Sequence, residues 1–357
     1  MAEPKFLPDA KLVEFLTGLP GDRKAVNVSS EETQLWAELG AADPAEVLAG
    51  LRGPRPSYSF KSALMPATEL VARYGKAEGD PLEEMRGLTV TVIGVRGCEC
   101  RAITYLDRIM LGEPMADPFY RTRRDNAFIV GVDCAVPAES CFCNLLGEAA
   151  YPEVNYDLNF SPMADGFLVE TGSEKGRKAL GSLGSLLSEP TGGQLEQRKR
   201  MRLTAAEQLT EQNAEYDFPE DFVSALPDTL EDLLWRAELG RCVQCGGCTA
   251  VCPQCYCFLL YDQETGSGAY ERGRLWDSCQ FTGYSQMAAA PGLAKPDPRR
   301  DHMSKFQHRF AHKFWYSPLT MGILGCVGCG RCGDTCPGGI DLRRVLSNVN
   351  KACAEHG

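Results

Sequence analysis

The stretch Arg241–Cys257, RCVQCGGCTAVCPQCYC, holds six cysteines in seventeen residues, and part of it occurs twice. CVQCGGCTAVCP from Cys242 returns as CVGCGRCGDTCP from Cys326. Both copies read C-x2-C-x2-C-x3-C-P. An iron–sulfur cubane presents four iron corners, each needing one thiolate. Cysteines three apart on a tight loop reach three corners of one cube, and in two-cluster proteins the fourth, before Pro, ligates the other cube. The spacing therefore predicts one [4Fe–4S] cluster on Cys242, Cys245, Cys248 and Cys336. A second falls on Cys326, Cys329, Cys332 and Cys252. Pro253 and Pro337 turn the chain after the fourth ligand. Gly246, Gly247, Gly328 and Gly330 let backbone N–H groups approach the sulfides. Zinc sites are usually assembled from CxxC pairs on separate knuckles, so two in-phase triplets favour iron–sulfur.

The bulk composition fits this reading. The chain has 357 residues, long enough for two or three domains, with 44% apolar and 24% charged residues and a net charge of −11. An acidic chain is poorly suited to non-specific nucleic-acid binding. The longest apolar run, Leu88–Val95, is strand-sized, so no membrane span is expected. The start MAEPKFLPDAKLVEFL lacks the features of an export signal. Cytoplasmic placement is the default expectation. In a reducing compartment seventeen cysteines, an odd number, point to metal ligation rather than disulfides.

Strand and helix patterns organise the rest. Ala10–Leu19 and Glu31–Gly40 have helical periodicity. Residues 88–95, 126–134 and 166–171 read as strands, with a helix over 100–111. The expected class is α+β. An N-terminal α/β-containing domain over 1–190 would be followed by a helical linker over 191–228 and a mostly helical two-cluster ferredoxin domain over 229–357. A long helix is expected from 194 to 216, after TGGQ (Thr191–Gln194) as a linker. A further helix would be capped by Asp228 and Glu231.

Five cysteines lie upstream. Cys98 follows one predicted strand and Cys134 ends another, while Cys141 and Cys143 sit a short loop further on. If the strands are neighbours, Cys98, Cys134, Cys141 and Cys143 gather at one sheet edge and could hold a third cluster; buried apolar cysteine is the alternative. Cys100 reads as a bystander or substitute ligand. Cys255, Cys257 and Cys279 read as packing near the first cluster, and Cys353 as an ordinary helix residue. Arg241 and Arg331, beside the cysteine loops, read as surface residues whose charge could raise cluster potential slightly. The basic runs Arg121–Arg124 and Gln197–Arg202 read as solvated faces or a dock for an acidic partner. HKFWYSP (His312–Pro318) reads as packing beside the second cluster. No nucleophile–base pair, nucleotide loop or open metal position is recognisable, so no catalytic residue is named.

At this point the sequence resembles a known family. RLWDSCQFTGYSQMA, HKFWY and GCVGCGRCGDTCPGGID look like the β subunits of cytoplasmic sulfhydrogenases, and are similar to the corresponding component of anaerobic sulfite reductase. Upstream, GVRGCECRAITYLDRIML, DPFYRTRRDNAFIVGVDC, CFCNLLG and GFLVETGSEKG follow the same order. The resemblance implies an electron-transfer component of a multi-subunit oxidoreductase. It would stand between a catalytic subunit of hydrogenase, sulfite reductase or heterodisulfide-reductase type and a flavin/NAD(P)-binding subunit. It also implies cluster ligation by Cys98, Cys134, Cys141 and Cys143, although GCEC replaces the Pro-Cys-Asp arrangement that relatives often show. The alternatives are a reductase acting on a sulfur or disulfide substrate at the upstream cysteines, and a purely structural cluster.

Overall fold

The computed structural model describes residues 3–29, 34–216, 218, 226–229, 234–289 and 293–356. Its class is α+β, with two sheets and the helices that pack on them. The larger sheet has seven strands: β1 (Lys5–Pro8), β2 (Arg23–Ser29), β3 (Gln34–Glu38), β5 (Val90–Arg96), β6 (Ala127–Val132), β7 (Leu158–Pro162) and β8 (Gly166–Thr171). Their order is β1-β8-β7-β6-β5-β2-β3. The central strands β2, β5, β6 and β7 run parallel, and β1, β8 and β3 close the edges antiparallel. Buried on both faces, β5 and β6 read as near-continuous apolar runs, VTVIGVR and AFIVGV. One core lies on each face. Phe15, Leu51, Phe160 and Phe167 belong to one, and Ile103, Leu106, Tyr120 and Ile129 to the other.

Glu31–Gly40 is not a helix where it is described. Gln34–Glu38 is edge strand β3, registered Ala25↔Glu38 to Ser29↔Gln34 against β2. Its five residues suit either period. Pairing with β2 decides the matter, and the Trp36 indole N–H donates to the Tyr58 carbonyl at 2.9 Å. TGGQ is not a linker either. Thr191 caps the helix Gly192–Gln212, its hydroxyl accepting from Gln194 N while the Gln194 side chain accepts from Thr191 N. The expected cap at Asp228 falls among residues of which Glu231 lies outside those described; beyond it a helix runs Leu234–Leu239.

A second sheet joins distant parts of the chain. Strand β4 (Thr68–Gly75) pairs with β10 (Ala269–Trp276), which pairs with β9 (Phe258–Gly266). The β9–β10 hairpin belongs to the insert between the two cysteine loops, so the insert is anchored on the N-terminal part. Around the loops, Trp235, Phe306, Phe310, Phe314, Val345 and Val349 form a helical core. No helix among the described residues is long and apolar enough to cross a membrane.

Candidate iron–sulfur sites

Each cysteine loop leads into one turn of helix through a left-handed glycine. Gly246 (φ 72°) precedes Gly247–Ala250, and Gly330 (φ 72°) precedes Arg331–Asp334. A side chain there would be strained. The loops then cross. Cys336, from the second copy, lines one cavity together with Cys242, Cys245 and Cys248 from the first. Gln280, Phe306 and Arg309 complete its wall, and Cys332 also reaches it. Cys245 is exposed at its rim.

Two members of the other crossed set, Cys252 and Cys326, lie beside Lys313. Its ammonium donates to Cys252 Sγ at 3.3 Å and to the Gly325 carbonyl, next to Cys326, at 2.8 Å. Contact with Cys255, and then the Lys313 and Lys61 cations, pull the Cys252 thiol below its ordinary range despite full burial. Burial pushes Cys326 and Cys332 up to about 12, while Lys313 opposes the shift at Cys326 and Arg309 at Cys332. Gly328 N–H faces Cys326 Sγ at 3.5 Å.

The upstream cysteines also come together. Strands β5 and β6 are parallel neighbours in register to Arg96↔Val132, so their carboxyl ends coincide. In open α/β sheets this is where ligands bind. Cys98 stands in the first turn of the helix Gly97–Met110 after β5. Cys134 follows β6, and its N–H donates to the Ala150 carbonyl at 2.9 Å. Cys98, Cys134, Cys141 and Cys143 line one cavity with Leu209, Gly328 and Cys329. The helix Gly192–Gln212 holds the loop: Gln212 Nε2 donates to the Cys141 carbonyl at 2.7 Å, and Asn213 Nδ2 does so at 3.0 Å. Burial raises Cys134 to about 11 and Cys143 to about 12. Cys100 is fully buried against Ile103 and Leu106, outside this cavity.

The second loop and the upstream loop touch directly. The Phe142 N–H donates to the Gly328 carbonyl at 2.7 Å, and Cys141 Sγ lies 3.7 Å from the Cys329 carbonyl. Cysteines 98 and 329 share one small apolar cluster with Ala102 and Val327. The three cysteine sets thus form a series, with Cys329 and Cys332 as the neighbours of the outer two cavities.

Do these residues suit iron–sulfur clusters? Among the described residues, no group of three or more Cys, His, Asp or Glu could hold a single metal ion. The first and upstream sets each surround a cavity instead of converging on a point, as a polynuclear group requires, whereas Cys252, Cys326, Cys329 and Cys332 do not line one common cavity: Cys332 lines the first and Cys329 the upstream one. Arg309 is 5% exposed, and its Nε and Nη2 find no hydrogen-bond partner. A buried guanidinium lining one cavity with Cys242, Cys245, Cys248 and Cys336 calls for an anion. The residues fit the group.

The comparisons agree. A family model described as a 4Fe-4S dicluster domain matches residues 241–340. The chain is 32% identical over 262 residues to sulfhydrogenase 2 subunit beta of Pyrococcus furiosus, covering 73% of this chain and 74% of that one. The chain belongs to the sulfhydrogenase β-subunit family. It is thus an iron–sulfur, electron-transferring chain of the oxidoreductase-subunit kind.

Within this sulfhydrogenase-type chain, several residues differ from their sequence reading. Arg331 is not on the surface. It is 1% exposed, pairs with Glu99 at 3.1 Å, and donates from Nε to the Pro56 carbonyl at 2.9 Å. The basic runs are largely tied down within the chain: Arg123 to Glu69, Arg124 to Asp107, Arg198 to Glu170, and Arg202 to Asp133 and Glu170. Cys257 contacts Cys279 and Tyr284, while Cys255 contacts Cys252. The side chain of Cys353 lies outside the described residues.

The sequence reading misses the buried cations. Lys305, Arg309 and Lys313 are spaced four apart and lie 2%, 5% and 6% exposed. Their helix, His302–Ala311, and the following π turn, His312–Tyr316, turn this basic stripe inward. That periodicity is available in the sequence, since side chains four apart share a helix face.

Proposed function

We propose that this chain is the electron-relay component of a soluble multi-subunit oxidoreductase, carrying three [4Fe–4S] clusters in series. The first is held by Cys242, Cys245, Cys248 and Cys336. The second is held by Cys326, Cys329, Cys332 and Cys252, and the third by Cys98, Cys134, Cys141 and Cys143. Bound clusters supply one-electron redox chemistry, whereas a flavin on a partner handles electron pairs. The residues of this chain hold the sites close together and exclude water from between them. Phe142, Val327 and Phe306 are 1%, 5% and 1% exposed, and they line the contacts between cysteine sets. Full cysteine ligation leaves no open iron for a substrate, which favours a relay over a reductase acting alone.

The observation that carries the reading is Cys336 in the cavity of Cys242, Cys245 and Cys248. Crossing of the fourth ligand is the mark of a two-cluster ferredoxin arrangement. The relative is by name a subunit of a sulfhydrogenase. The partners proposed here are a catalytic redox subunit and a flavin/NAD(P)-binding subunit in the cytoplasm. Exposed Cys245 marks the end of the series nearest to one partner. The test is anaerobic affinity purification of the tagged chain from its own cells. Co-purification of a flavoprotein, with reduction of the clusters by NAD(P)H only when it is present, is expected. Turnover of a sulfur or disulfide substrate by the isolated chain would refute the relay.

A further inference from the structure

The three cysteine sets differ in how the nearby buried cations are balanced. Arg309 lines the first cavity and reaches Cys332 of the second set. Its guanidinium rests 5.3 Å from the Phe310 ring, and Nε and Nη2 have no hydrogen-bond partner. Lys313 donates to Cys252 Sγ at 3.3 Å and to the Gly325 carbonyl at 2.8 Å, and is itself 6% exposed. Among the described residues, neither cation has a carboxylate partner.

The upstream set is surrounded differently. Three of its four cations are matched by acids. Arg331, which stands between Cys98 of this set and Cys329 of the second, pairs with Glu99 at 3.1 Å, both side chains fully buried. Arg55, which lines the upstream cavity, pairs with Asp334 at 2.6 Å. Arg101 pairs with Glu148 at 2.8 Å and lies 3.5 Å from Glu153. Arg96 has no acid partner among the described residues; its side-chain N–H groups go to the carbonyls of Leu51, Asp133, Gly50, Gly53 and Pro54, five oxygens that offset its charge in part. A fixed positive charge favours adding an electron nearby, and an adjacent carboxylate cancels most of that effect. In a low-dielectric interior such differences are strong.

We infer that Arg309 and Lys313, as unbalanced buried cations, make the two C-terminal sites easier to reduce than the upstream site, where Glu99, Asp334 and Glu148 neutralise Arg331, Arg55 and Arg101 and five carbonyls surround Arg96. The inference rests on the three-site reading above and extends it to the order of potentials. Both residues are positioning residues: they ligate nothing and act through the field they impose on the thiolates.

The test is a potentiometric titration of the full chain under anaerobic conditions, followed by EPR, with iron counted on the same samples. C336S and C98S assign the C-terminal and upstream signals. In the unmodified protein the upstream signal should appear at the lowest potential. R309Q should keep its iron and move the C-terminal signals down, toward the upstream one. K313Q should act mainly on the site of Cys252 and Cys326. R309K, keeping the charge, should restore much of the shift, and it carries the comparison with K313Q where R309Q loses iron. E99Q, which uncovers Arg331 while keeping an acceptor, should move the upstream signal up, together with that of the site holding Cys329. Unchanged midpoints in iron-replete R309Q and K313Q would overturn the inference. So would an upstream signal reduced before the other two. If C98S removes no signal, the three-site reading fails, yet the R309Q shift still decides the role of Arg309.

Discussion

Gly328 is the joint between the second cysteine loop and the upstream loop, and replacing it by alanine tests that joint. Its φ is 64°, in the left-handed region, where a non-glycine residue costs about 1–2 kcal/mol. A Cβ there would lie 2.5 Å from Cys143 N and 2.6 Å from Cys143 Cα. Those are backbone atoms, so no side chain can swing aside. Overpacking of this kind costs about 1–3 kcal/mol. Together the two effects amount to about 2–5 kcal/mol. Spread over the whole chain at about 2.1 cal/mol/K per residue, this lowers the unfolding midpoint by roughly 3–7 °C. The damage should centre on the Phe142–Gly328 hydrogen bond and the upstream cavity, so iron loss should begin there. The assay is scanning calorimetry at one fixed rate, with iron per chain measured before heating. G181A is the control: Gly181 lies in the helix Glu174–Ser182, and nothing is within 4 Å of its Cβ position. That exchange should be neutral or stabilising by up to about 1 kcal/mol. A G328A protein with wild-type iron and a midpoint within a degree of wild type would refute the proposed joint.

Other consequences are as direct. E99A removes the acid facing Arg331 in a fully buried pair and should destabilise by about 3–5 kcal/mol, with E99Q clearly milder; denaturant midpoints at one pH decide it. C336S should lose about four irons per chain and C100A none, because Cys100 lies outside every cysteine cavity; equal loss from both would break the assignment. Burial holds His308 and His312 at about 4, below the unfolded value of about 6.5. The unfolded chain therefore binds protons first, so this stability is complete above about pH 6.5 and is lost as pH falls toward about 4. For His312 this amounts to about 2–3 kcal/mol, and the more open His308 contributes less. An H312N variant should show a flatter loss of stability between about pH 6.5 and 4.5 than wild type, and identical slopes would contradict the burial argument.

The cysteine triplets are legible because a cubane imposes a local spacing, and local spacing is what a sequence displays. Strands β5 and β6 are legible for a similar reason: a strand buried on both faces is an apolar run. Their adjacency brings Cys98 and Cys134 to one edge, which the order of elements alone already implies. Edge strand β3 misleads because its five residues fit either period and only β2 chooses between them. The pairing of β4 with β10 spans about two hundred residues and leaves no local trace. Arg331 reads as surface because a lone Arg beside a loop usually is, and its partner Glu99 lies far away in sequence. The inward stripe of Lys305, Arg309 and Lys313 is open to sequence reasoning, since a basic face on a helix otherwise rich in aromatics has to meet an anion somewhere.

The central claim is that the cysteines hold iron–sulfur cubanes in three separate sets. Iron, zinc and acid-labile sulfide per chain, measured on protein purified without oxygen, test it most directly. About twelve irons and twelve sulfides are predicted, at four per cubane, with brown colour and negligible zinc. A colourless protein carrying zinc, or one with no labile sulfide, would contradict the account.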